Sequence, residues 1–292
     1  MKVLEQDSRI KNSIITIGKF DGFHLGHRLL LKELAKTEYK DYNRVVVSLY
    51  FGNKRILSTE ESDAFLEGTD IDFLDVIPFD DRIKAMSCED FIRDYIIDRY
   101  DASYIVVGED FRFGAGRKGD VETLREAGKL HGFKVISIPK LMINGDIVSS
   151  TLIRNCLSEG SVDKAATLLG EPYGFSGTVG HGKMLGRTLG FPTANLYPSE
   201  DKLLPRFGVY ASEAVIEGVT YKGITNIGIR PTVDGEESPD VEMYIFDFDR
   251  DIYDKSIRID LKSFIREEKH FSSLDELKDQ MSRDITAAKT LL

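Results

Sequence analysis

Residues 13–27, SIITIGKFDGFHLGH, decide how the first half of the chain is read. Ser13–Gly18 has the β-branched, apolar composition of a strand. The stretch that follows places glycines at 18, 22 and 26, an aspartate at 21 and histidines at 24 and 27. Glycine lets backbone approach a ligand closely, and Gly26 can tuck the start of a helix against it. Ring N–H groups of His24 and His27 can donate to phosphate oxygens and stabilise charge that develops during transfer. Two other readings stay open at this point. One is a zinc site, for which the spacing fits one helical turn but lacks the glutamate of H-E-x-x-H; the other is a tight turn with incidental histidines.

Outward from this stretch, strands and helices alternate. Leu29 to Lys36 reads as a helix, 44–51 (RVVVSLYF) as a strand buried on both faces, and 71–79 as another strand. Residues 87–100 form a helix opened by Ser87 and Asp90 as a capping pair. Strand 103–108, helix 120–132 closed by Gly132, and strand 133–139 follow. This order predicts a doubly wound parallel α/β sheet, with ligands at the carboxyl ends of its strands. Both GKFDGFHLGH and GEDFRFG (108–114) fall there. Asp110 in the second is either a solvated turn residue or part of a base- or sugar-recognition loop. Further on, VSSTLIR (148–154) offers the hydroxyls of Ser149, Ser150 and Thr151 at a helix start, with Arg154 one turn later: a phosphate cradle or a plain cap.

Two short helical pieces, 151–160 and 161–170, each end in glycine. After them come short β-rich segments separated by turn residues, the pattern of a small antiparallel barrel, and a final helix begins at Ser273 with Glu276 as a capping box. A chain of 292 residues exceeds the roughly 100–200 of one domain, and the change of character predicts domains at 1–170 and 171–292.

The run SGTVGHGKMLGRTLGFPTANLYP (176–198) carries the chemistry of the second half. Its glycines, Gly182 and Gly186 among them, suit a flap that wraps a polyphosphate beside Lys183 and Arg187, or a plain barrel loop. The Thr193 hydroxyl and the Asn195 carbonyl are hard oxygen ligands suited to Mg²⁺. Glu242 on a predicted strand can point into the barrel mouth as a general base, or belong to a solvated face.

Composition narrows the classes. A net charge of −10 argues against a nucleic-acid partner. No apolar run approaches the ~20 residues of a membrane span, and the first residues lack the apolar core of a signal peptide. Two cysteines, Cys88 and Cys156, suit a reducing cytoplasm. Nothing in the sequence speaks to oligomeric state.

Together, GKFDGFHLGH, SSTLIR and the intervening VVGEDFRFGAGRKGD resemble the FMN adenylyltransferase module of bacterial bifunctional riboflavin kinase/FAD synthetases. HGKMLGRTLGFPTANL, GVYAS, TNIGIRPTV, VEMYIFDFDRDIYD and FIREEKHFSSLDELKDQMSRD resemble their riboflavin kinase domain in order and spacing. The resemblance implies riboflavin, FMN, FAD and ATP as substrates and products, with Mg²⁺. It assigns Gly18, Asp21, Gly26, His24 and His27 to the ATP phosphate site, and Asp110, Ser149, Ser150, Thr151 and Arg154 to the nucleotide pocket. In the barrel it gives Thr193 and Asn195 to metal and ATP, Glu242 to the base, and Gly182, Lys183, Gly186 and Arg187 to the flap. Arg266 and Glu268 fall near the flavin. The chain departs from the family pattern twice: Lys19 replaces an asparagine, and 48–57 (SLYFGNKRIL) lacks a Pro-His-Pro segment. The altered segment keeps open a riboflavin kinase with an idle adenylyl module; a non-catalytic flavin sensor is the third reading.

Overall fold

The computed structural model describes residues 1–181, 191–231 and 237–292, arranged as two units, Met1–Ser149 and Ser150–Leu292. In the first, strands β1 (Lys2–Val3), β2 (Ser13–Gly18), β3 (Asn43–Tyr50), β4 (Phe73–Pro78), β5 (Ala102–Gly108) and β6 (Lys134–Ile138) form one sheet. Its order is β1-β4-β3-β2-β5-β6, and every neighbouring pair is parallel. Successive residues of β2 serve opposite cores. Ile15 and Ile17 pack with Val45, Val47 and Phe91 on one face; Ile14 packs with Val46, Leu30 and Leu66 on the other. Burial on both faces is why these strands are almost continuously apolar. Because β3 and β5 flank β2, the winding direction reverses there. The loop after β2 opens at that switch point, where doubly wound sheets bind ligands.

Helix α1 (Leu25–Leu34) begins earlier than its leucine spacing predicts, since His24 caps it. Sequence reading passed over α2 (Thr59–Glu67), although Ser58 and Glu61 form a full capping box, and the short α3 (Asp81–Ala85). The 87–100 helix is α4 (Cys88–Phe91) continued by a π-helical stretch, Ile92–Ile97. Helix α5 (Val121–His131) runs from the Asp120 cap to left-handed Gly132. A hairpin of β7 (Met142–Ile143) and β8 (Asp146–Ile147) precedes Ser149.

The second unit starts with α6 (Ser150–Glu159) and α7 (Val162–Leu169). Strands β9 (Gly174–Gly180), β10 (Thr193–Leu196), β11 (Gly208–Ile216), β12 (Val219–Pro231), β13 (Glu237–Ile245) and β14 (Ser256–Arg266) close an antiparallel barrel in the order β10-β13-β12-β11-β14-β9. Its interior holds Val241, Met243, Ile227 and the hydroxyls of Ser212 and Thr225, which pair at 2.6 Å and so satisfy each other. Helix α8 (Leu274–Leu291) lies on the outer face, where Ile285 and Ala288 meet Val209, Ala211 and Ile224. Ser273 caps α8, but Glu276 turns to the N–H and hydroxyl of Ser272, so the expected capping box is only half formed.

Candidate active sites

The loop between β2 and α1 is built around its histidines. The His24 side chain occupies the cap of α1, and its Nδ1 accepts the His27 backbone N–H at 3.2 Å. That bond consumes a lone pair and leaves the proton on Nε2. The two rings stack with centroids 3.6 Å apart. A side chain at Gly26 would put its Cβ 3.2 Å from the His24 ring and 3.8 Å from the Val148 carbonyl, so glycine lets both pack against the helix start. The same contact brings the loop beside the residue that precedes Ser149. Burial pushes the His24 imidazole down to about 4, against weaker upward pulls from its backbone and Asp21. Burial, with His24 stacked on it, holds His27 well below the ordinary imidazole range. Both rings are therefore neutral at pH 7 and can offer N–H groups rather than positive charge.

Strain supports this geometry. Phe20 and Phe23 take left-handed backbone, φ 44° and 40°, at about 1–2 kcal/mol each for bulky side chains. Their rings are fully buried, Phe20 lies 5.0 Å from the His27 ring, and Phe23 stacks on Phe65. Asp21 accepts the Ile56 N–H at 2.8 Å, tying the 48–57 stretch to the loop. Gly22 (φ 89°) leaves the space that Ile56 fills. Lys19 and Phe51, from the two departures noted above, touch: the Lys19 Nζ stands 4.1 Å over the Phe51 ring. Gly18 ends β2, and Asp110, after β5, pairs with Lys140 at 2.9 Å. Ser149 closes the first unit, while Ser150, Thr151 and Arg154 lie in the first turns of α6 in the second.

The zinc reading finds no ligand set among the described residues. Among the described residues no group of three His, Cys, Asp or Glu side chains could hold a metal, and His24 Nδ1 is already engaged.

The barrel site follows from register. Glu242 on β13 stands opposite Asn195 on β10 and Asn226 on β12, so one row across three strands carries Asn-Glu-Asn. Residues directly opposite in antiparallel pairs share a face. Val241 and Met243 fill the interior, so Glu242 and Tyr244 point outward, toward α8. This corrects the expectation that Glu242 points into the barrel mouth. Glu242 lines a cavity of about 230 Å³ with Thr193, Asn226, Arg266, Glu268 and Asp284. A second cavity, about 430 Å³, is lined by Thr193, Asn195, Arg250 and Tyr253. Thr193 belongs to both. Asn195 is buried at 3% exposure, and its Nδ2 lies 3.4 Å from the Thr193 carbonyl oxygen. Hydroxyl, carboxamide and carboxylate oxygens on adjoining strands form a hard donor set that fits Mg²⁺.

Arg266 presents its Nε and Nη2 to the two carboxylate oxygens of Asp284 at 2.7–3.0 Å. Glu268 accepts from Asn226 Nδ2 at 3.3 Å. Asn226 and Asp284 escaped sequence reading. Asp284 left a signal: with Leu277, Met281 and Ala288 it completes a helical stripe, and a carboxylate on a buried stripe needs a partner. The expected flap residues Gly182, Lys183, Gly186 and Arg187 lie outside the described residues.

Comparisons with known proteins find one family over each half of the chain. A family model described as FAD synthetase matches residues 6–152, and one described as riboflavin kinase matches 169–292. A bifunctional riboflavin kinase/FMN adenylyltransferase of Escherichia coli K12 is 38% identical over 288 residues, covering 94% of this chain and 91% of that protein. One from Pseudomonas fluorescens is 33% identical over 291 residues, covering 96% and 93%. A crystal structure from Streptococcus pneumoniae described as a macrolide-efflux protein superposes with a TM-score of 0.82 at 30% identity, covering 98% of this chain and 95% of that one. No described helix of this chain is long and apolar enough to cross a membrane.

Proposed function

The chain belongs to the bifunctional riboflavin kinase/FAD synthetase family, and on that premise we propose that each unit carries one half of FAD synthesis on the residues described above. In the barrel, Glu242 takes the proton of the riboflavin 5′-hydroxyl as its oxygen attacks the γ-phosphorus of ATP. The bond from that phosphorus to the β–γ bridging oxygen breaks, and ADP leaves. The observation that carries this reading is the shared wall. Thr193 borders both cavities, and Glu242 stands in register with Asn195 between them. The smaller cavity takes the flavin beside Arg266 and Glu268, and the larger takes the nucleotide. Thr193 and Asn195 would hold Mg²⁺, which when bound neutralises phosphate charge. Gly182, Lys183, Gly186 and Arg187 would cover the nucleotide as a flap.

In the first unit, ATP phosphates meet the glycine-spaced loop. Gly18 and Gly26 admit them, Asp21 holds the loop's shape through Ile56, and the neutral His24 and His27 supply N–H donors to charge developing at the α-phosphorus. Asp110 and Ser149 would add nucleotide contacts in this unit, and the family resemblance assigns nucleotide contacts also to Ser150, Thr151 and Arg154 of α6. Domains at 1–170 and 171–292 and a cytoplasmic location remain part of this proposal.

One assay tests the whole. The protein is incubated with riboflavin and MgATP, and the flavins are separated chromatographically. FAD is expected; FMN alone would leave only the barrel reading standing, and unchanged riboflavin would overturn both. With FMN supplied, His27→Ala should lower FAD formation roughly 100-fold or more, as for a lost transition-state donor. Equal loss of FMN formation would contradict two separate sites.

A further inference from the structure

Adenylyl transfer to FMN brings two polyanions together, the flavin phosphate and the triphosphate, and their repulsion calls for a nearby cation. The histidines of the loop do not supply it, because their rings are buried and neutral. Three other cations of the first unit already have hydrogen-bond or ion-pair partners. Arg28 donates its Nε to the Phe23 carbonyl and lies over the Phe65 ring. Arg55 reaches Thr59 and Ser62, and Lys140 is paired with Asp110.

Lys19 is different. It directly follows Gly18 at the carboxyl end of the central strand, and it is exposed. Its neighbour Phe20 packs on the His27 ring, and its own carbonyl accepts the Ser48 hydroxyl at 3.1 Å, so its backbone is fixed against β3. Among the described residues no carboxylate pairs with its ammonium. What holds the ammonium is the Phe51 ring, 4.1 Å below, and Phe51 is in turn braced by Phe79 with centroids 4.3 Å apart. An aromatic face orients a cation without cancelling its charge as a carboxylate would. The charge therefore stays available to a ligand.

We propose that Lys19 is a phosphate-binding residue of the adenylyl transfer site and that Phe51 is its positioning residue. This rests on the adenylyltransferase reading of the first unit. In the step, an oxygen of the FMN phosphate attacks the α-phosphorus of ATP. The bond from that phosphorus to the α–β bridging oxygen breaks, and pyrophosphate leaves with the electron pair. The Lys19 ammonium offsets phosphate charge.

The test uses the full chain with supplied FMN and MgATP, measuring FAD formation and the KM of each substrate. Lys19→Gln should lower kcat/KM roughly 10- to 100-fold, the size of a charged hydrogen bond, while Lys19→Arg retains most of it. A rise confined to the KM of ATP assigns the contact to the triphosphate; a rise confined to that of FMN assigns it to the flavin phosphate. Phe51→Leu, which keeps apolar bulk but loses the ring face, should raise the same KM several-fold, and Phe51→Tyr should restore it. Lys19→Gln indistinguishable from wild type, or Lys19→Arg as impaired as Lys19→Gln, would overturn the proposal. Phe51→Leu behaving as wild type would remove the positioning role. Wild-type protein that makes no FAD from FMN would instead sink the adenylyltransferase reading itself.

Discussion

The rings of His24 and His27 lie stacked 3.6 Å apart, and the ring nitrogen of the first accepts the backbone N–H of the second. Two imidazoles at this separation cannot both be charged, and burial keeps both neutral. The pair is thus a fixed neutral stack whose charge state depends on pH.

The first expected outcome concerns acid stability. Unfolded His24 binds a proton near 6.5, whereas the folded ring resists protonation until about 4. Between those values the unfolded state holds more protons, so stability falls as pH drops through that window. The full span is worth roughly 3 kcal/mol. Urea unfolding of the protein from pH 7 to 4.5 should show this loss, and His24→Gln should flatten the slope. An unchanged slope in the variant would contradict a buried, neutral His24.

Glu242→Gln keeps shape and hydrogen bonding but cannot take a proton. FMN formation should fall by about 100-fold or more, while riboflavin still binds in a flavin-fluorescence titration. Normal turnover in this variant would exclude Glu242 as the base.

Gly22 is required by its backbone and by Ile56. A Cβ there would lie 2.8 Å from the Ile56 side chain at φ 89°. Gly22→Ala should destabilise the protein by about 2 kcal/mol or more and slow FAD formation, because the loop and the 48–57 stretch move together. A thermal transition within a degree of wild type would show that the loop tolerates the side chain.

The carboxylate of Asp284 is 3% exposed and takes both Arg266 and Gln280. Asp284→Asn leaves a half-buried guanidinium without its counter-ion. The expected cost is roughly 1–3 kcal/mol of barrel stability, with weakened riboflavin binding. Calorimetry of the variant checks this, and an unaltered transition would mean that solvent already screens the pair.

The missing Pro-His-Pro segment illustrates the limits of reading alone. In sequence, Lys19 and the altered 48–57 stretch are two separate departures, the second counting against adenylyl transfer. In space they form one unit, with the Lys19 ammonium on the Phe51 ring and Asp21 bonded to Ile56. Glu242 shows the same limit. Its strand was legible, but its face was not, because VEMYIFDF offers apolar residues on both sides of the pleat. The β10 strand was read as loop, since four residues between proline and tyrosine carry little period.

By itself the sequence determined the alternating α/β unit, the barrel, most helix caps and the motifs at the strand ends. These depend on short-range periodicity, on turn chemistry and on which residues can bury apolar surface, all written locally along the chain. Tertiary structure alone decided that two histidines are neutral, that Glu242 faces α8 across from Asn195, and that an arginine on β14 is held by an aspartate 18 positions further on. Burial, register and charge pairing join residues far apart in sequence. Their energies exist only once the chain has brought those groups together and removed the water between them.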